Sequence, residues 1–276
     1  MGEDRDGPGG VGENRGGPGG VGENRDGPGG VGENRDGPGG VGEERDVPWS
    51  WLDALAAWLL SWAGLLLLVP LLAAVPRQVA LAVALPAGLV VLGLATVVWV
   101  RLRHPGSVRR LLGDGPFTGE AVRAGVAHGL LAFVVINLGL SLGLRLLAEY
   151  TNLEMPQVQQ QFRAFAADRT LAPFLVFAAV LVAPFAEELF YRGMLFQALR
   201  ARVGVWPGIL LSAGLFALGH READNPGGSV LAFLLILPLG AYLAWLFQRR
   251  GTIAVPMAAH ATFNALTTAV LLATAS

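Results

Sequence analysis

Residues 171–199 read LAPFLVFAAVLVAPFAEELFYRGMLFQAL. The run is longer than the ~20 residues a helix needs to cross ~30 Å of hydrocarbon. Yet Glu187, Glu188 and Arg192 interrupt it. Ionisable groups at membrane depth are costly, so they face a protein interior and mark a functional site. The stretch therefore predicts a helical membrane protein arranged around a polar centre. Glu188 and Arg192 lie four apart, on one helix face, with the acid before the base. Glu187 projects about 100° away from Glu188 on the same helix. The expectation is a division of labour: Arg192 neutralises Glu188 and steadies the helix, while Glu187 faces a reactive cavity.

The surrounding composition agrees. Of 276 residues, 53% are hydrophobic and 15% charged, too apolar for a soluble domain of this size. Apolar stretches recur at about 51–75, 79–100, 125–148, 171–199, 205–220, 229–247 and 252–275. They predict an all-α, polytopic membrane protein with about seven transmembrane helices. The short 205–220 stretch suits a helix buried among others. Arginines concentrate in residues 101–123, at Arg200 and Arg202, and at Arg249 and Arg250. These loops alternate along the chain, so the positive-inside tendency places the N-terminus inside. All 20 basic residues are arginine, and Ala, Gly, Leu and Val are heavily used; the expected location is the plasma membrane of a bacterium. The absence of cysteine excludes disulfides, zinc-thiolate sites and thiol nucleophiles. A formal charge of −1 points to no nucleic-acid partner.

Ahead of the first apolar stretch, residues 2–41 repeat a decapeptide close to GENRDGPGGV, and 18 of the 38 glycines fall in residues 2–42. So little side-chain surface cannot offset the entropy of ordering. Three parts are expected: a disordered repeat tail over 1–48, two transmembrane helices with a basic loop over 49–124, and the functional domain over 125–276.

Two later segments join the glutamate pair. FALGH carries Phe216 and His220, and HATFN carries His260 and Asn264; spacing of four puts each pair on one helix face. Counted at ~1.5 Å per residue from the arginine-rich ends, Glu187, His220, His260 and Asn264 lie ~20, ~24, ~14 and ~20 Å up. Four polar groups on three helices therefore share the middle of the membrane. A carboxylate and an imidazole beside one water can deliver it to a carbonyl carbon. A second imidazole and an amide N–H can hold the resulting oxyanion. Alternatively, Glu187, His220 and His260 form a two-histidine, one-carboxylate set able to hold a catalytic zinc. Both routes hydrolyse an amide bond, and a metal-free site and a zinc site are equally open at this stage.

EELFYRG, FALGH and HATFN, in that order on successive spans, resemble the three motifs EExxxR, FxxxH and HxxxN of the CPBP family of intramembrane proteases. That family embraces CAAX prenyl protease 2 and lysostaphin-resistance-protein-A-like domains. The resemblance covers roughly residues 125–270. It implies an endopeptidase in which Glu187 and His220 activate water while His260 and Asn264 support the oxyanion. Glu188 and Arg192 match the remaining motif positions and, with Phe216, are expected to support the structure. The family has been described both as metalloproteases and as metal-free glutamate proteases. The implied partners are a membrane-associated or lipid-modified protein substrate and the lipid bilayer.

Two functions from other classes compete: a transporter using the Glu/His cluster as a proton relay, and a non-catalytic membrane scaffold. A transporter predicts internal repeats of the membrane domain, whereas each motif here occurs once. Outside the motifs, His128 and Asn137 read as helix-packing residues. Pro184 is placed to free a backbone carbonyl beside the site. The polar segment 149–170 suits either a plain connection or a surface segment covering the cavity.

Overall fold

The computed structural model describes residues 47–152, 154–158, 160–222 and 224–275; the expected repeat tail falls almost wholly outside them. Every long apolar stretch becomes a helix. In chain order these are α1 (Trp51–Ala73), α2 (Arg77–Arg103), α3 (Gly119–Thr151), α4 (Gln160–Ala167), α5 (Ala172–Val203), α6 (Val205–Leu218), α7 (Pro226–Arg250) and α8 (Ala254–Ala275). Among the described residues there is no strand. Six of these helices are long and apolar enough to span a membrane, and α6 is a shorter apolar helix. The protein is a multi-pass, all-α integral membrane protein.

α5 is the inner helix. Of its apolar window 44% is buried, against 11% for α1, whose Leu66 and Leu67 are left to face lipid. α6 is not enclosed as its shortness suggested. Gly208, Ile209, Ser212, Ala213, Phe216 and Ala217 form a buried face, while Trp206, Leu210, Leu211, Leu215 and Leu218 stay exposed. Small residues on one side let α6 approach its neighbours, and large ones on the other meet lipid.

The three basic loops meet at one end of the bundle. Gly115 N–H donates to Gly251 O at 2.7 Å and Ile253 N–H to Leu112 O at 2.9 Å. Gln197 Nε2 donates to Arg110 O at 2.9 Å, and Arg200 Nη1 to Gln248 Oε1 at 2.9 Å. A shared end is what the alternation of arginine-rich loops required.

α8, which bears two of the predicted site residues, is seated against α3 through Gly125 and Gly129. A Cβ added at Gly125 would lie 2.5 Å from Val255 O, and one at Gly129 2.5 Å from Ala259 O. Only glycine allows this approach, in the small-xxx-small manner of membrane helix packing. Gly129→Val should therefore push α8 outward at the residue preceding His260. The expected result is a lowered melting temperature in detergent together with loss of activity. An unchanged melting temperature would show that the helices have slack.

α5 departs from regular geometry around the glutamates. Its hydrogen bonds widen to the π pattern at Ala178–Val182 and again at Leu189–Phe196, leaving one regular turn, Ala183–Glu188, between them. Such segments recur at functional sites because they shift the side-chain register. Side chains take up carbonyls along both: Asn264 Nδ2 bonds Ala179 O at 2.8 Å, Ser212 Oγ bonds Tyr191 O at 3.1 Å, and Gln197 Nε2 bonds Gly193 O at 2.6 Å. Inside a bilayer no water would do so.

Candidate active site

Pro184 accounts for the first of those bonds. Ala183 N–H reaches back five residues to Ala178 O; the next rung would run from residue 184 to Ala179 O, and proline has no N–H. Asn264, arriving from α8, supplies the missing donor. The carbonyl expected to be freed beside the site is thus Ala179 O, and satisfying it ties α8 to α5.

Beyond that turn, Glu188 and Arg192 form the predicted pair. Arg192 Nη1 donates to Glu188 Oε1 at 2.8 Å, with both side chains wholly buried. The guanidinium also donates through Nη2 to Gly240 O on α7 at 3.0 Å and lies 4.5 Å from the centre of the Phe216 ring. One cation therefore holds α5, α6 and α7 together, a charge-assisted use of arginine's planar fork. Glu188 Oε2 and Arg192 Nε are buried without a hydrogen-bond partner. Each such atom costs roughly 1–3 kcal/mol of desolvation, so the pair fixes geometry more than it maximises stability.

His260 departs from the expected division of labour. Its Nδ1 lies 2.9 Å from Glu188 Oε1, and its Nε2 lies 3.7 Å from Glu187 Oε2. The imidazole stands between the two glutamates. Glu188 therefore has a second task besides pairing Arg192: as an acceptor it fixes Nδ1 as the donor and turns Nε2 towards Glu187. The helix angle separated the glutamates correctly but could not show a ring on another helix spanning them.

His220 lies just past the end of α6, in a turn. Its Nδ1 is 2.9 Å from Phe216 O; with that nitrogen donating to the carbonyl, Nε2 is left as the acceptor. Phe216, expected as packing, is buried at the hub of the cluster. Its ring meets His220, His260 and Tyr191 edge-on at 4.9, 5.7 and 5.1 Å. Edge-to-face contacts suit aromatic rings, so Phe216 acts as the wall that spaces both imidazoles.

Glu187, His220, His260 and Asn264 line one cavity of about 130 Å³, with Phe216. The cavity is not bounded by the later helices alone: Leu85 and Leu89 come from α2, and Phe162 comes from α4. Thr267 and Thr268, about two turns beyond His260 along α8, extend its lining. These residues lay outside any motif, and an apolar leucine or a lone phenylalanine carries no signal of its own. Segment 149–170 is more than a connection, since Phe162 borders the cavity. His128 Nδ1 lies 2.7 Å from Tyr242 Oη away from the site, and Asn137 Nδ2 donates to Oγ1 of the cavity-lining Thr267 at 2.6 Å; both are interhelical bonds of the packing kind expected.

Zinc requires its donors gathered within about 2.0–2.2 Å of one point. Among the described residues no three His, Asp or Glu side chains are grouped so as to hold a metal ion. Glu187, His220 and His260 share the cavity without forming that trio, and the Nδ1 atoms of both imidazoles are already engaged.

A carboxylate, two imidazoles and an amide thus line one cavity inside a multi-pass helical protein. Residues 169–266 match the family model described as Type II CAAX prenyl endopeptidase Rce1-like. The matched segment is the one that bears the motifs, and the match agrees with the resemblance they carry. The match runs from just before α5 to two residues past Asn264 and so includes every motif residue. It supports a protease of the general CAAX intramembrane type. Comparison with curated proteins and with solved structures returned no match.

Proposed function

We propose that the protein hydrolyses a peptide bond of a membrane-associated or lipid-modified protein without a metal, with Glu187 as general base. In this reading a water sits between Glu187 and Nε2 of His220. Glu187 takes its proton as the oxygen adds to the scissile carbonyl carbon. The oxyanion is held by the second N–H of Asn264, whose first is given to Ala179 O, and by Nε2–H of His260 acting as an imidazolium between the two glutamates, its Nδ1–H being given to Glu188. Glu187 then returns the proton to the leaving amine, the C–N bond breaks, and acid and amine products separate. Glu188 acts through His260 and is a positioning residue, as is Arg192 through Glu188. The observation that supports this reading most is the shared cavity: all four residues border it, and His260 Nε2 lies 3.7 Å from Glu187 Oε2.

The protein resides in the plasma membrane of a bacterium with its N-terminus inside, the three arginine-rich loops facing the cytoplasm. Residues 125–276 form the protease domain, and 1–48 lie outside its chemistry.

Cleavage of candidate membrane substrates by the reconstituted protein tests the proposal. His220→Ala should lower the rate by roughly 10²-fold or more, the contribution of a positioned acid–base group. A variant that cleaves as fast as the parent would end the assignment. Chelation followed by zinc restoration separates the two mechanisms. The glutamate mechanism predicts an unchanged rate in both steps. A zinc ion on Glu187, His220 and His260 predicts loss with the chelator and recovery with zinc.

A further inference from the structure

The cavity's outer wall carries a feature that the reaction does not use. Phe162 projects from α4, the short helix Gln160–Ala167, into the cavity lining beside the catalytic groups. The chain just before α4 is fastened to the α6–α7 loop: Asn225 Nδ2 donates to Gln157 O at 2.6 Å. The Asn225 side chain is itself held by two further residues, one of them braced in turn. Its Oδ1 accepts from Gly228 N–H at 2.9 Å, its Nδ2 reaches Glu222 Oε2 at 3.0 Å, and Ser229 ties Glu222 through 2.8 and 2.9 Å bonds. That loop begins at His220. The loop that follows one catalytic imidazole therefore also fastens the segment bearing Phe162.

Size gives this arrangement its consequence. A cavity of about 130 Å³ is below the ~300 Å³ at which ordinary ligand pockets begin and near the ~150 Å³ known to take one benzene. With Phe162 in place, the space is about that of one small apolar side chain. A second apolar crevice, lined by Leu81, Pro86, Phe165 and Phe174, shares Leu85 and Leu175 with the cavity. α4 thus sits where the catalytic cavity would continue outward along the seam between α2 and α5.

We propose that Phe162 is a specificity-determining residue of this site: it closes the cavity over the catalytic groups and limits the group admitted there, while Asn225 latches the segment that carries it. The identity of the cavity as the catalytic one rests on the function proposed above; the limit on size does not, and its test needs no cleavage. Because the chain has no cysteine, Leu89→Cys on the cavity wall places a single reporter thiol. Its labelling by N-ethylmaleimide and by the larger N-pyrenylmaleimide is compared in the folded, reconstituted protein.

Phe162→Ala should accelerate the pyrenyl reagent selectively, raising the ratio of large to small labelling rates. Phe162→Leu should restore most of the parent ratio. Asn225→Ala should speed both reagents about fivefold, the effect of losing a hydrogen bond worth ~1 kcal/mol. An unchanged ratio in Phe162→Ala, in protein that still elutes as a single species, overturns the proposal. So does an equal gain for both reagents in Phe162→Ala and Phe162→Leu, which would report general loosening. Loss of cleavage in the parent bears on the proposed function alone, because labelling is read independently.

Discussion

Glu187→Gln should lower peptide cleavage by roughly 10²–10⁴-fold, the range for removal of a general base, while leaving the melting temperature close to that of the parent. The side chain is 13% exposed, and its nearest charged approach is the 3.7 Å to His260, longer than a hydrogen bond. Glutamine keeps the volume and removes the basicity. A glutamate that merely paired across helices would behave in the opposite way, with a clear loss of stability and a modest loss of rate. Paired measurement of cleavage and thermal unfolding decides between them. A Glu187→Gln protein with near-parental turnover would remove Glu187 from the chemistry.

The motifs made much of this site legible because membrane burial restricts what polar residues can be. Glu188 with Arg192 could be inferred from spacing alone, since α-helical geometry brings residues four apart together. Convergence of His220, His260 and Asn264 with Glu187 was foreseen from depth, because helices crossing one slab share a coordinate along its normal. What depth cannot give is rotation about each helix axis. The placing of His260 between two glutamates therefore emerged only from the packing of α8 on α3 at Gly125 and Gly129. The π segments of α5 were illegible for a related reason: one added residue per turn leaves no mark on apolar periodicity.

The contributions of α2 and α4 were hidden for another reason. Leu85 and Leu89 look like any lipid-facing leucine, and only the tertiary arrangement turns them inward. Phe162 lies in a segment with too few apolar residues to announce a membrane helix, and its composition suits a plain connection as well as a cover. The exposed face of α6 is the reverse case: its shortness suits enclosure, yet VWPGILLSAGLFAL carries small residues on one side and large ones on the other.

Glu188→Ala should be the most damaging single change to the fold. It leaves the Arg192 guanidinium at zero exposure with Gly240 O and the Phe216 ring as neighbours but without its counter-charge. Breaking a buried ion pair from one side costs about 3–5 kcal/mol, a large share of the roughly 5–15 kcal/mol that keeps a typical domain folded. Arg192→Met should cost less, because Glu188 keeps His260 Nδ1 as a partner at 2.9 Å. The decisive comparison is the double variant Glu188→Gln/Arg192→Met, which removes both charges and retains similar volume. It should regain a substantial part of the melting temperature lost in Glu188→Ala, since neither partner is left charged and alone. Activity should not recover with it, because the carboxylate that orients His260 is gone. If the double variant is as unstable as Glu188→Ala, the pair is not what holds α5, α6 and α7 in register. If it is both stable and active, the positioning of His260 by Glu188 is not required, and the second glutamate serves the fold alone.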